Sequence, residues 1–161
     1  MATLNETIDA LQKLAASGGS GITLDYDEVV KEQIRIYYEQ ADIPFTEEDI
    51  EKVKKEDYDN NPRVKAFIKQ KISEFKAKTS SMIKNIQNIP TQFSGIAATA
   101  ADVKAAPAAV PMYVGIKNSV NEISSQLADN LSICSDLGIG APNELISLVD
   151  KVATLKSLVG A

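Results

Sequence analysis

The residues in this chain that could do chemistry are few, and most of them are carboxylates. They cluster at Glu47-Glu48-Asp49 and at Glu56-Asp57-Asp59. Paired carboxylates can share acid and base roles when burial drives their ionisation apart. These two clusters lie in charge-dense stretches without glycine, which is the pattern of a solvated face, so no acid–base work is expected of them. Asp57 to Ile68 has the length of a calcium loop but lacks glycine at the sixth position and glutamate at the twelfth. The chain has no histidine and a single cysteine. That excludes an imidazole base, a histidine-based triad, an internal disulfide framework and thiolate zinc clusters. Cys134 stands among Leu131, Ile133 and Leu137 and reads as a buried structural thiol. No phosphate-binding Gly-rich loop, dinucleotide fingerprint or nucleophile elbow occurs. Ser17-Gly18-Gly19-Ser20-Gly21 could offer amides to an anion, but it follows a helical pattern and is expected to be a flexible linker. The chain is therefore expected to be non-enzymatic, with no cofactor, metal or catalytic residue.

The elements that carry these residues are helical by periodicity. Leu4, Ile8, Leu11 and Ala15 mark one face of a short helix before the glycines. Val30, Ile34, Tyr37 and Ala41 mark a second, starting near Asp25 or Asp27 and ended by Pro44. Thr46 with Asp49 forms a capping box for an acidic helix from Glu47 to about Asp57. Asn61-Pro62 opens a long helix over 62–89, with a heptad seam of Ile68, Ile72, Phe75, Thr79, Met82, Ile86 and Ile89. A second seam runs through Tyr113, Ile116, Val120, Ile123, Leu127, Asn130, Cys134 and Leu137, and Gly138 ends it. Leu145, Leu148, Val152, Leu155 and Val159 complete a last helix over 143–159. Between the seams, 96–106 is expected to be a short Ala-rich helix and 106–111 an extended crossover. The expected fold is all-α: a helical bundle of five to seven helices, with the helices 62–89 and about 112–137 antiparallel. Residues 1–21 are expected to be an N-terminal arm and linker packing on a neighbouring subunit, and 22–161 the bundle domain.

Charge is segregated along the chain. Residues 1–60 hold 15 acidic and 6 basic side chains, whereas 61–88 hold one acid against seven cations. Such asymmetry fits a solvated face, docking of the acidic segment onto the basic helix within the chain or from another copy, or a polyanion site. Only Arg63 among the seven cations is arginine, and Phe67 and Phe75 fall on or beside the apolar seam, which leaves no aromatic free to stack on bases. Candidate interaction residues are Leu4, Ile8 and Leu11 on the arm, Tyr38 at a helix boundary (Tyr37 being taken into the core), and Arg63, Lys65, Lys69 and Lys76 on the basic helix.

Asp136 to Gly140, followed by Glu144 to Val149, is similar to the turn before the second helix of acyl carrier proteins. That family carries its prosthetic arm on the serine of an Asp-Ser-hydrophobic tripeptide. Here those positions read Ala141-Pro142-Asn143, so the carrier function is not implied. The absence of histidine and tryptophan, with many amides and hydroxyls on amphipathic helices, has the texture of small helical virion components of tailed phages (tail, baseplate or neck). The expected role is a structural or assembly subunit whose partners are proteins, a second copy included, rather than a small-molecule substrate, nucleic acid or membrane. Two alternatives are a membrane-active bundle that inserts 93–116 and a nucleic-acid binder that uses 62–84. No export signal is read at the start of the chain, so the expected location is the cytoplasm, or a virion if the chain is phage-encoded.

Overall fold

The structure is a computed structural model and describes residues 4–89 and 110–160. It is all-α. Its helices are α1 (Leu4–Ala15), α2 (Tyr26–Gln40), α3 (Glu47–Val53), α4 (Pro62–Gln87), α5 (Val110–Leu137) and α6 (Asn143–Val159). A π-helical segment, Lys54–Asp59, continues α3, and no strand occurs among the described residues. The short helix expected at 96–106 and the candidate inserting stretch as far as residue 109 lie outside the described residues. Of the crossover expected over 106–111, residues 106–109 likewise lie outside the described residues, and Val110 and Pro111 belong to α5 instead. Proline is tolerated in a first helical turn, where its missing N–H has no intrahelical acceptor.

Helix ends follow local hydrogen-bond chemistry. The Asp25 carboxylate accepts from the Glu28 amide at 3.2 Å and starts α2. At α3 the capping box is closed in both directions, Asp49 N to Thr46 Oγ1 at 3.3 Å and Thr46 N to Asp49 Oδ2 at 2.9 Å. Asn61 Oδ1 accepts from the Arg63 and Val64 amides at 3.1 and 3.2 Å, so α4 starts where the sequence says. α5 ends in a Schellman turn: Ile139 N donates to Cys134 O, Gly138 N donates to Ser135 O, and Gly138 takes φ +70°.

The chain divides into two compact units. The first takes residues 1–22, 78–129 and 142–161. Its core is built from Leu4, Ile8, Leu11 and Ala15 of α1, Met82, Ile83 and Ile86 of α4, Ile116, Val120, Ile123 and Leu127 of α5, and the whole α6 stripe. α1 packs on α6. Each buried aliphatic side chain contributes roughly 1.5–3 kcal/mol relative to leaving it in water. Polar rungs set how α4 meets α5 here: Lys78 pairs with Asp129 at 3.1 Å, and Gln126 donates to Ser81 Oγ at 2.8 Å and accepts from Asn85 at 3.1 Å. Residue numbers rise on α4 as they fall on α5, so the two are antiparallel.

The expected arm is a correction. Leu4 and Leu11 are fully buried and Ile8 nearly so within this chain, so that stripe is core and offers nothing to a neighbour. An apolar stripe must be covered, but its spacing does not say by whom; α6 of the same chain covers it. The glycine run is likewise no free linker. Gly18 and Gly19 take φ +67° and +81°, Ile22 N donates to Gly19 O at 2.8 Å, and a Cβ on Gly19 would lie 3.1 Å from Ile83 Cγ1.

The second unit takes residues 23–77 and 130–141. Val29, Val30, Ile34, Ile50, Ile68, Phe75, Ile133, Cys134 and Leu137 form its core. Lys71 of α4 pairs with Asp136 of α5 at 3.1 Å. One seam residue departs from expectation: Ile72 is only half-buried, on the shoulder of the α4 stripe.

Candidate interaction surface

Three ion pairs lock α2 onto α3 and the π-helical segment: Asp27–Lys54 at 3.1 Å, Lys31–Glu51 at 2.6 Å and Arg35–Glu47 at 3.0 Å. Numbers rise on one side and fall on the other, so the elements are antiparallel. The Lys31 hydrogen bond holds the Glu51 carboxyl below the usual carboxylate range, and Glu51 raises Lys31 in return. Hydrogen bonds to Asp27 and Glu47 likewise raise Lys54 and Arg35. These carboxylates of the acidic segment are paired within that segment rather than docked on the basic helix.

Beyond this ladder α2 outruns its partners. Gln33 donates to the carbonyl of Leu137, the last residue of α5, at 2.8 Å, and Gly138 lies below Ile36. One turn further, Tyr37 is 61% exposed. The periodicity that assigned Tyr37 to the core described the helix face correctly but carried no information about where the covering helix stops. A Schellman turn then reverses the chain, with Ile43 N donating to Tyr38 O at 3.0 Å and Asp42 N donating to Glu39 O at 3.2 Å. Asp42 takes φ 56° there, a position that favours glycine. The reversal stacks Phe45 on Tyr38 (5.6 Å between centroids, 19° between planes), while Tyr37 meets Tyr38 edge-on at 5.7 Å. Ile43 is 44% exposed beside them, and Glu39, Asp42 and Glu48 are exposed in the same stretch of chain. Tyr38 is thus half-buried under an apolar patch at the tip of α2, as a boundary residue.

The basic helix does not present one stripe. At about 100° per residue, its charges fall on opposite shoulders of the buried seam. Arg63, Lys71 and Lys78 share one shoulder with Phe67, whose ring is 43% exposed and has Lys71 Nζ over it at 5.8 Å. Phe67 does lie beside the seam, one residue off the Ile68 row, but its exposed ring corrects the expectation that it is not free to stack. Lys65, Lys69 and Lys76 form a row on the other shoulder, where Lys69 lies 6.0 Å over the Tyr26 ring. None of Arg63, Lys65, Lys69 and Lys76 makes an ion pair among the described residues.

The other chemistry-bearing groups are dispersed. Glu56 and Asp57 are exposed on an open depression of about 610 Å³ shared with Asn60, Asn61, Pro62 and Arg63. Among the described residues no three histidine, cysteine or acidic side chains gather as metal ligands would. No helix there is long and apolar enough to cross a membrane. Cys134 is buried, and burial pushes its thiol up.

No protein-family model matches the chain, and no curated protein or solved structure matches it significantly.

Proposed function

We propose that this chain is a non-enzymatic assembly subunit that joins other protein through the aromatic tip of α2. The observation that carries the reading is the exposure of Tyr37, in the last turn of α2, and of Ile43, on the hydrogen-bonded turn that follows, next to the Tyr38–Phe45 stack. Scattered exposed apolar residues are ordinary, but contiguous tyrosine-rich ones are the usual anchors of protein interfaces. The long seams are spent inside the chain, so association falls to surfaces such as this one. A phage tail, baseplate or neck is the kind of assembly that the composition resembles. A nucleic-acid role would draw on Phe67 and Arg63, but the division of the cations between two shoulders and the tie of Lys71 to Asp136 weaken it.

The test is a photo-crosslinking phenylalanine analogue at position 37 in the cells that make the protein, with the same residue at exposed Ser135 as control. The reading expects a discrete adduct heavier than 17.4 kDa from position 37 alone. No adduct, or the same products from both positions, overturns it.

A further inference from the structure

We infer that the occupant of the α2 tip is a second copy of this chain, which seats its Lys65–Lys69–Lys76 row against the acidic rim of the tip. This inference rests on the assembly reading above and names its partner. The rim is anionic: Glu39, Asp42 and Glu48 are exposed, and none makes an ion pair among the described residues. The row is its chemical complement. Lys65 and Lys76 are separated by about 16 Å of helix, and half-buried Ile72 lies between Lys69 and Lys76 to meet an apolar anchor. The chain as a whole is acidic at −5, yet 61–88 carries +6, so the cationic counterpart that the tip requires is present on every copy. Opposed charges of this kind steer encounter and fix orientation while the aromatic anchors supply the holding area. Because the two surfaces differ, the contact is a pairing of unlike patches, which either closes into a dimer or ring or propagates.

The experiment is light scattering on the full chain from micromolar to millimolar concentration, alone and as two surface variants. One variant is Glu39→Lys with Asp42→Lys, and the other is Lys65→Glu with Lys69→Glu. The wild type is expected to exceed 17.4 kDa and to associate more weakly in ~1 M salt, where the screening length is about 3 Å and only the apolar anchors still hold. Each variant is expected to weaken self-association at least about tenfold at unchanged helicity, and the two mixed are expected to regain it. A wild type that stays monomeric, variants that keep the wild-type mass, or a mixture that fails to recover overturns the inference. Should either double variant lose helicity, Lys76→Glu alone is measured against the same outcomes. A position-37 adduct to a different protein sinks this inference and leaves the assembly reading standing; an adduct of twice the chain mass, mapped to residues 65–76, supports both. Binding of a nucleic acid to the lysine row without self-association overturns it.

Discussion

Gln87, at the end of α4, donates its side-chain amide to the carbonyl of Ala15, the last residue of α1, at 3.0 Å. The favour is returned from the other side: Gln12 of α1 donates to the carbonyl of Ile89 at 3.1 Å. Two helix ends separated by about 70 residues thus supply each other's missing donors, as helix C-termini require. The first helix is bound into its unit by polar bonds as well as by its apolar stripe.

Removal of residues 1–21 should therefore not leave an intact core. The expected outcome is loss of cooperative thermal melting and binding of an apolar dye, because α6 loses the cover of Leu4, Ile8 and Leu11. Leu11→Ala, a milder change, is expected to cost about 2–5 kcal/mol in urea unfolding.

Two seam positions that look alike in sequence should respond differently to charge. Ile123→Asp buries an unpaired carboxylate at a fully enclosed site and is expected to cost several kcal/mol or prevent folding. Ile72→Asp places the same group on a half-exposed shoulder and is expected to cost only about 1 kcal/mol. Melting temperatures of the pair check the difference; equal losses would contradict the half-exposure of Ile72.

Backbone chirality predicts opposite signs at two turns. Asp42 sits at φ 56° without needing its side chain there, so Asp42→Gly should stabilise by about 0.5–1 kcal/mol, less the extra freedom of the unfolded chain. Gly19→Ala should destabilise by ~1 kcal/mol or more, since φ +81° and the 3.1 Å approach of Ile83 both oppose a Cβ. Denaturation midpoints at constant m-value decide both.

Cys134 predicts a pH response on the alkaline side. Burial raises its thiol above the unfolded value, so the folded state holds the proton more tightly. The stability this contributes is complete below the ordinary thiol value of about 8.5 and is lost as pH rises beyond it. Cys134→Ala should thus lose less stability than the wild type between pH 7 and ~9.5, and a thiol reagent should react with the native protein only as fast as it opens.

Much of the fold was legible because seams are local. Every α5 seam position from Ile116 to Leu137 is buried, and the Thr46, Asn61 and Gly138 signals mark helix ends where the structure has them. Asn130 and Thr79, the two polar breaks, are buried as well. What was illegible is which surface covers a stripe and where that cover stops. The α1 stripe reads the same whether α6 or a neighbour meets it, and Tyr37 reads as core until α5 is seen to end at Leu137. The division of the basic helix is a matter of about 100° per residue against a seam whose width only tertiary packing sets. The aromatic tip is similarly hidden, because Phe45 reaches Tyr38 through a turn at Asp42 that carries no glycine to announce it.

The pairing of α1 with α6 has a consequence for how the chain is made. Leu4, Ile8 and Leu11 leave the ribosome well ahead of the helix that shelters them, which begins only at Asn143. While the intervening residues are made, that greasy face lacks its mate in α6. Closure of the first unit joins segments far apart in sequence, which slows folding and lengthens the interval in which a nascent chain can stick to its neighbours.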